Sequence, residues 1–233
     1  MFLASDNELP YAVDVTTTDA THPTGSVGEL ISDAQFDQMF PNRIPFYTYQ
    51  EFVWAADSID GFASSGNPTR DKQELAAFLA QVAHETGHLV YIEEIAGPGD
   101  PYCDTAPWFA MYPCASGKEY YGRGTIQISW NYNYGRAGDY LGLDLLGNPE
   151  LVAEDSRVAW QTGLWFWMTQ TGAGTYTCHD AMANDRGFGE TTRSINGALE
   201  CDGGSLSQVQ ARASYYTDFS VILGVPVVEP LGC

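Results

Sequence analysis

The sequence predicts a mainly α-helical domain with a minor β-sheet, about six helices against about three short strands. Apolar residues recur at i, i+3, i+4 and i+7 in several segments. Cap and breaker residues bracket those segments, and only the short run through Ile126 and Ile128 alternates at strand period.

In chain order, residues 1–25 mix Asp, Thr, Pro and Gly without apolar periodicity, as in TTTDATHPTG, and predict a linker or mobile tail. The domain then occupies 26–233. Ile31, Phe36, Met39 and Phe40 fall at helical spacing after a cap at Ser32, and a break follows from Pro41 to Pro45. Tyr49 to Ile59 is a second helix, closed by Gly61 and the loop Ser64-Ser65-Gly66-Asn67-Pro68. The third runs from a capping box of Asp71 and Glu74 toward Gly87. At about 100° per residue from Leu75, its Phe78, Leu79, Val82 and Thr86 form one stripe, with Glu85 at the border. Beyond Glu94 the chain is loop-like, and Cys103 and Cys114 bracket an aromatic segment. YYGRGTIQISWNYNYGRAG, from Tyr120 to Gly138, combines a glycine-rich turn with aromatics and amides, side chains that stack on pyranose rings and satisfy hydroxyls in both directions. Val152 to Thr169 predicts a buried scaffold helix whose Trp165 and Trp167 are core. Thr191 to Cys201 follows a loop holding Cys178 and His179, and Gln208 to Phe219 forms the last helix.

The composition, 44% hydrophobic and 13% aromatic over 233 residues, is enough for one real core. Ten Lys and Arg against thirty Asp and Glu, a net charge of −20, argue against binding nucleic acid or an anionic membrane and favour an uncharged partner. A solvated acidic surface or adaptation to saline surroundings explains the acidity equally well. No window of eighteen uninterrupted apolar residues predicts a membrane span. The N-terminus lacks the basic region and apolar core of a signal peptide. The five cysteines carry no C-x-x-C spacing, which favours disulfides over a zinc cage and leaves one cysteine over.

The chemistry concentrates in ELAAFLAQVAHETGHLVYIEE, Glu74 to Glu94. Glu85 sits near a helix C-terminus against apolar neighbours, where desolvation and the helix dipole both disfavour its ionised form and suit it to act as a general acid. His84-Glu85-Thr86-Gly87-His88 formally matches the H-E-x-x-H zinc protease pattern, its histidines about 40° apart on one helical face. The supporting ligands are missing. A metzincin needs Gly and His where Tyr91 and Glu94 stand, and a gluzincin needs a downstream helical Glu. The alternative is a carboxylate pair acting on an acetal, with an inverting pair about 6.5 to 9.5 Å apart. In a continued helix Glu94 would face the opposite side about 13.5 Å further along; a break at Gly87 is what lets both acids reach one cleft.

Taken together and in order, AAFLAQVAHETGH, YIEEI, YYGRGTIQISWNYNYGRAG, NPELVAEDSRVAWQTGLWFWMT, CHD and TTRSINGALEC resemble the family-nineteen chitinases, specifically the short, loop-deleted class IV and bacterial members. The resemblance covers about Ile31 to Cys201, with a weaker match to the end. It implies a lysozyme-like, two-lobed helical fold with the cleft between lobes, and endo-hydrolysis of β-1,4-linked N-acetylglucosamine with inversion. By motif, Glu85 is the acid and Glu94 the base, with Glu93 its rival. Ser129 helps hold the attacking water, and Gln127, Tyr132, Asn133 and Asn196 contact sugar. Glu200 and Arg212 belong to a charged network steadying the acid. The pattern further implies disulfides Cys103–Cys114 and Cys201–Cys233, leaving Cys178 free, and a secreted monomer that needs no metal or cofactor. Thr125 and Ala198 depart from the family's usual Pro and Gly. A peptidoglycan-hydrolysing lysin on the same fold is the alternative, and a silent chitin-binding protein a third reading.

Overall fold

The computed structural model describes residues 26–233; the linker expected over 1–25 lies outside them. Nine α-helices occur among the described residues: α1 Asp33–Met39, α2 Tyr49–Asp57, α3 Pro68–Thr86, α4 Asn131–Leu141, α5 Leu151–Glu154, α6 Ser156–Thr169, α7 Cys178–Ala183, α8 Phe188–Glu200 and α9 Leu206–Leu223. The expected sheet is reduced to two isolated antiparallel bridges, Glu93 to Arg123 and Arg123 to Ile128. The alternating run is too short and too turn-rich to extend a ladder, with Gly124, Gln127 and Trp130 all at positive φ.

The central element is α3, which packs along α9 and also touches α7 and α8. Phe78, Leu79, Val82 and Thr86 are fully buried, as the helical stripe predicts. The expected cap is corrected. Asn67 caps the helix by accepting from the amides of Thr69 and Arg70, with Pro68 at its first position. Asp71 and Glu74 lie inside the helix and serve tertiary contacts. Asp71 accepts from the amide and hydroxyl of Ser65, and buried Glu74 accepts from Ala63 N and Trp167 Nε1.

The other end of α3 is a sharp stop. Gly87 caps it in the left-handed region at φ 58°, and His88 and Leu89 follow at φ 64° and 61°. Thr86 Oγ1 accepts the Leu89 amide at 2.7 Å, which holds the reversal. The chain thus leaves the helix axis after Thr86, one residue beyond Glu85.

At Ser32 the predicted cap forms a capping box with Gln35. The single helix expected over Val152 to Thr169 is two, because Asp155 leaves helical geometry and caps α6 through the amides of Arg157 and Val158. Trp165 and Trp167 are core, as expected, and Trp160 joins Phe52 and Phe78 in the aromatic centre. Cys103–Cys114 and Cys201–Cys233 are bonded, and Cys178 is free and buried.

Candidate active site

A cleft of about 700 Å³ opens where α3 ends. One wall carries Glu85 from α3 with Asn196 and Leu199 from α8; the other carries Glu94, Gln127, Ser129, Trp130 and Asn133. The acids expected to act together therefore face one space, because the turn at Gly87 replaces the helical continuation that would have separated them.

Glu85 emerges from the last turn of α3 with its side chain 17% exposed. Its Oε1 is buried and lies 2.5 Å from Arg212 Nη2, an ion pair without hydrogen-bond alignment. Burial raises this carboxyl above the usual range. Arg212 pulls it down and Glu200 adds to the rise, and the balance is upward. Arg212 is fully committed: Nε and Nη2 grip Glu200 at 2.8 and 2.7 Å, and Nη1 donates to Gln81 Oε1 at 2.6 Å. Gln81 in turn donates to Thr191 and Thr192 of α8. Burial works to raise Glu200, but the bonds and charge of Arg212 outweigh it and hold it below the usual carboxylate range. The arrangement favours the protonated form of Glu85 and the ionised form of Glu200.

Across the cleft, Glu94 is oriented by two donors. Tyr102 Oη donates to Oε1 at 2.9 Å and the Gly122 amide to Oε2 at 3.2 Å. That phenol's pKa is raised, first by the hydrogen bond to Glu94, so it stays a donor at neutral pH. Glu93 is placed differently. Its Oε1 accepts from Arg123 Nε at 2.9 Å and Tyr121 Oη at 3.0 Å, and it serves as the counter-ion of a buried arginine. This separates the two adjacent acids that the sequence left as rivals.

The amide residues partly brace the wall they line. Gln127 donates to the carbonyls of Ile92 and Gly124, clamping the segment that carries Glu94 to the glycine turn. Ser129 Oγ donates to Gln127 O at 3.2 Å, while Asn133 Nδ2 donates to Ser129 O at 2.8 Å. Asn196, at a non-helical kink in α8, gives its Nδ2 to Glu200 Oε1 at 2.8 Å. Each of these residues lines the cleft and keeps acceptor capacity. Tyr132 is the exception among the expected sugar contacts. It does not line the cleft, because its ring is stacked on Phe109, centroids 4.0 Å apart.

The histidines of H-E-T-G-H do not share a helical face. His84 is in α3, but His88 lies beyond its end in the left-handed region, and its ring packs edge-on against Tyr215. Burial, then the neighbouring Arg212 charge, lowers the His84 pKa to about 4, so its imidazole is neutral beside the guanidinium.

The family model for chitinase class I, glycoside hydrolase family 19, matches residues 30–233. The chain belongs to the family-nineteen chitinases. Chitinase 4 of Oryza sativa is 44% identical over 215 residues, covering 89% of this chain and 71% of that protein. Chitinase C of Streptomyces griseus is 53% identical with a TM-score of 0.83, over 88% of this chain and 97% of that one. The class IV enzyme of Zea mays is 41% identical with a TM-score of 0.79, over 89% and 100%. The molecule is a glycoside hydrolase with the mainly helical, lysozyme-like fold of this family.

Within this chitinase the departure at Thr125 has a local cause. Its amide and Oγ1 both donate to Ala159 O, at 3.4 and 3.0 Å, tying the glycine turn to α6 with two donors a proline would lack. Tyr102 and Gln81 escaped the sequence reading. Gln81 carries a usable signal, standing four residues before Glu85 on the same helical face. Tyr102 carries none, since only the tertiary fold returns its loop to Glu94.

Proposed function

We propose that this chitinase hydrolyses β-1,4-linked N-acetylglucosamine polymers internally and with inversion, with Glu85 as general acid and Glu94 as general base. The observation that carries this is the contrast between two carboxyls lining one cleft: burial beside Arg212 leaves the Glu85 pKa raised, and Glu94 is held by two donors, the Tyr102 hydroxyl and the Gly122 amide. A protonated Glu85 delivers its proton to the glycosidic oxygen as the bond breaks. Glu94 takes a proton from water on the opposite face of the sugar, and that water attacks the anomeric carbon. Ser129 helps hold the water. Gln127, Asn133 and Asn196 bind hydroxyl and acetamido groups, and Tyr132, the fourth expected contact, stacks on Phe109 and lies parallel to Trp130 of this wall.

Arg212 and Glu200 keep Glu85 in place and set its proton affinity. The reaction needs no metal or cofactor in this scheme. The enzyme acts as a secreted monomer on chitin or its soluble oligomers through a catalytic domain spanning 26–233. Among the described residues, no helix is long and apolar enough to cross a membrane. The alternative of a peptidoglycan lysin finds no support among the relatives.

Following the first product from a soluble N-acetylglucosamine hexamer by proton NMR tests this reading. The α-anomer is expected at the new reducing end before mutarotation. First release of the β-anomer would refute inversion, and no cleavage would refute the substrate. Glu85→Gln is expected to lower kcat by about 10²–10⁴.

A further inference from the structure

The loop closed by Cys103–Cys114 presents unusually exposed apolar side chains. Trp108 is 75% exposed and Met111 81% exposed. Exposed apolar side chains are ordinary when scattered singly, but a tryptophan and a methionine three residues apart on one anchored loop suggest a contact surface.

The loop is held rigidly. Asn131 at the start of α4 accepts from the Asp104 amide and donates to the carbonyls of Asp104 and Tyr112, at 2.8, 3.0 and 2.7 Å. Tyr112 also lies directly over Gly135, where an added Cβ would come within 2.2 Å of its ring. Aromatic contacts connect this loop to the cleft. Trp130, on the cleft wall, lies parallel to Tyr132 with centroids 6.4 Å apart, and Tyr132 stacks on Phe109 at 4.0 Å. Phe109 meets Trp108 at 6.2 Å, and Arg136 sits 5.8 Å from both stacked rings.

Resting on the chitinase reading above, we propose that Trp108, with Met111 exposed on the same loop, is a docking point for the chitin polymer outside the cleft. It is an aromatic platform for N-acetylglucosamine rings of a chain or surface whose neighbouring segment occupies the active site. Charge helps choose the occupant. A second copy of this chain would bring another net charge of −20, and anionic membranes and nucleic acids are repelled likewise. An uncharged polysaccharide meets no such barrier. A tryptophan offers a broad apolar face to the C–H face of a pyranose, and the anchored loop leaves little backbone entropy to lose on binding.

The test uses full-length Glu85→Gln protein, so that binding is read without cleavage, carrying in addition Trp108→Ala or Trp108→Phe. Depletion from a suspension of insoluble chitin is compared with calorimetric titration of soluble N-acetylglucosamine tetramer, and sedimentation velocity reports self-association. Trp108→Ala is expected to weaken adsorption roughly tenfold, the order seen when a tryptophan anchor is truncated. Trp108→Phe should recover most of it, and tetramer affinity should stay within about twofold, since these rings lie outside the cleft. Unchanged adsorption would overturn the proposal. So would a matching loss of tetramer affinity, or loss of a wild-type dimer with adsorption retained. If the wild type neither binds nor cleaves the tetramer yet adsorbs through Trp108, the chitinase reading fails and the platform stands.

Discussion

The charged network behind Glu85 makes a prediction with opposite signs in two variants. Arg212 is 1% exposed and Glu200 4% exposed, so solvent screens their interaction little. Replacing Arg212 by Met leaves Glu85 and Glu200 as neighbouring acids without their shared cation, and takes the Arg212 donor away from Gln81 Oε1. Removing one member of a buried pair costs about 3–5 kcal/mol. At roughly 2–4 °C per kcal/mol for a domain of this size, Tm should fall by about 6–20 °C. The same change removes the pull that lowers Glu85 and leaves burial and Glu200 to raise it further. The basic limb of the kcat/KM–pH profile, which follows loss of the acid's proton, should therefore move to higher pH. Glu200→Gln works the other way. It removes a like charge and frees Arg212 to favour the Glu85 carboxylate, so the basic limb should move to lower pH. The assay is kcat/KM on a soluble N-acetylglucosamine hexamer from about pH 4 to 10, with Tm measured in parallel. Should Arg212→Met fail to fold, the acid shift in Glu200→Gln still decides the matter. Movement of both limbs in the same direction, or of neither, would refute the view that this network tunes Glu85.

Glu94→Gln should lower kcat by about 10²–10⁴, whereas Glu93→Gln should mainly lower stability through the loss of its Arg123 pair, a contrast read from kcat and Tm together. Tyr102→Phe removes one of two donors to Glu94 and should cost on the order of 1.5 kcal/mol, about tenfold in kcat; a rate unchanged within twofold would show that Gly122 alone orients the base. Glu85→Gln should make the fold more stable at neutral pH. A carboxyl whose folded pKa is raised costs stability once pH exceeds its unfolded value, so the gain in Tm should be present at pH 7 and vanish near pH 3. His179→Gln should do most harm at low pH. Its pKa is raised, first by the hydrogen bond to Glu74, so its contribution is complete below about 6.5 and is lost as pH rises through the folded value. A Tm deficit larger at pH 9 than at pH 5 would contradict this.

Much of this protein was determined locally. The core stripe of α3, the Ser32 cap, the stop at Gly87 and the buried tryptophans of α6 follow from helical period and short-range cap chemistry, which depend on residues within a turn of one another. The position of Glu85 at the helix end follows for the same reason. The resemblance to family-nineteen chitinases supplied what local rules cannot, namely which distant residues meet. In the structure Glu85, Glu200 and Arg212 meet in one network, Glu94 lines the same cleft as Glu85, and Tyr132 stacks on Phe109.

The tertiary structure alone decided the start of α3, because Asp71 and Glu74 gained more from Ser65, Ala63 and Trp167 than from capping. It also decided how two adjacent acids are partnered. Glu93 and Glu94 are equivalent in sequence, and they differ because Arg123 returns to one and Tyr102 to the other. So it is with the opening features of H-E-T-G-H: the sequence carries two histidines in a metal-like pattern, but a left-handed turn after Thr86 separates them and directs the chain toward Glu94 instead. Hydrogen bonds and ion pairs between residues far apart in the chain depend on the path of the backbone, and no local pattern encodes that path.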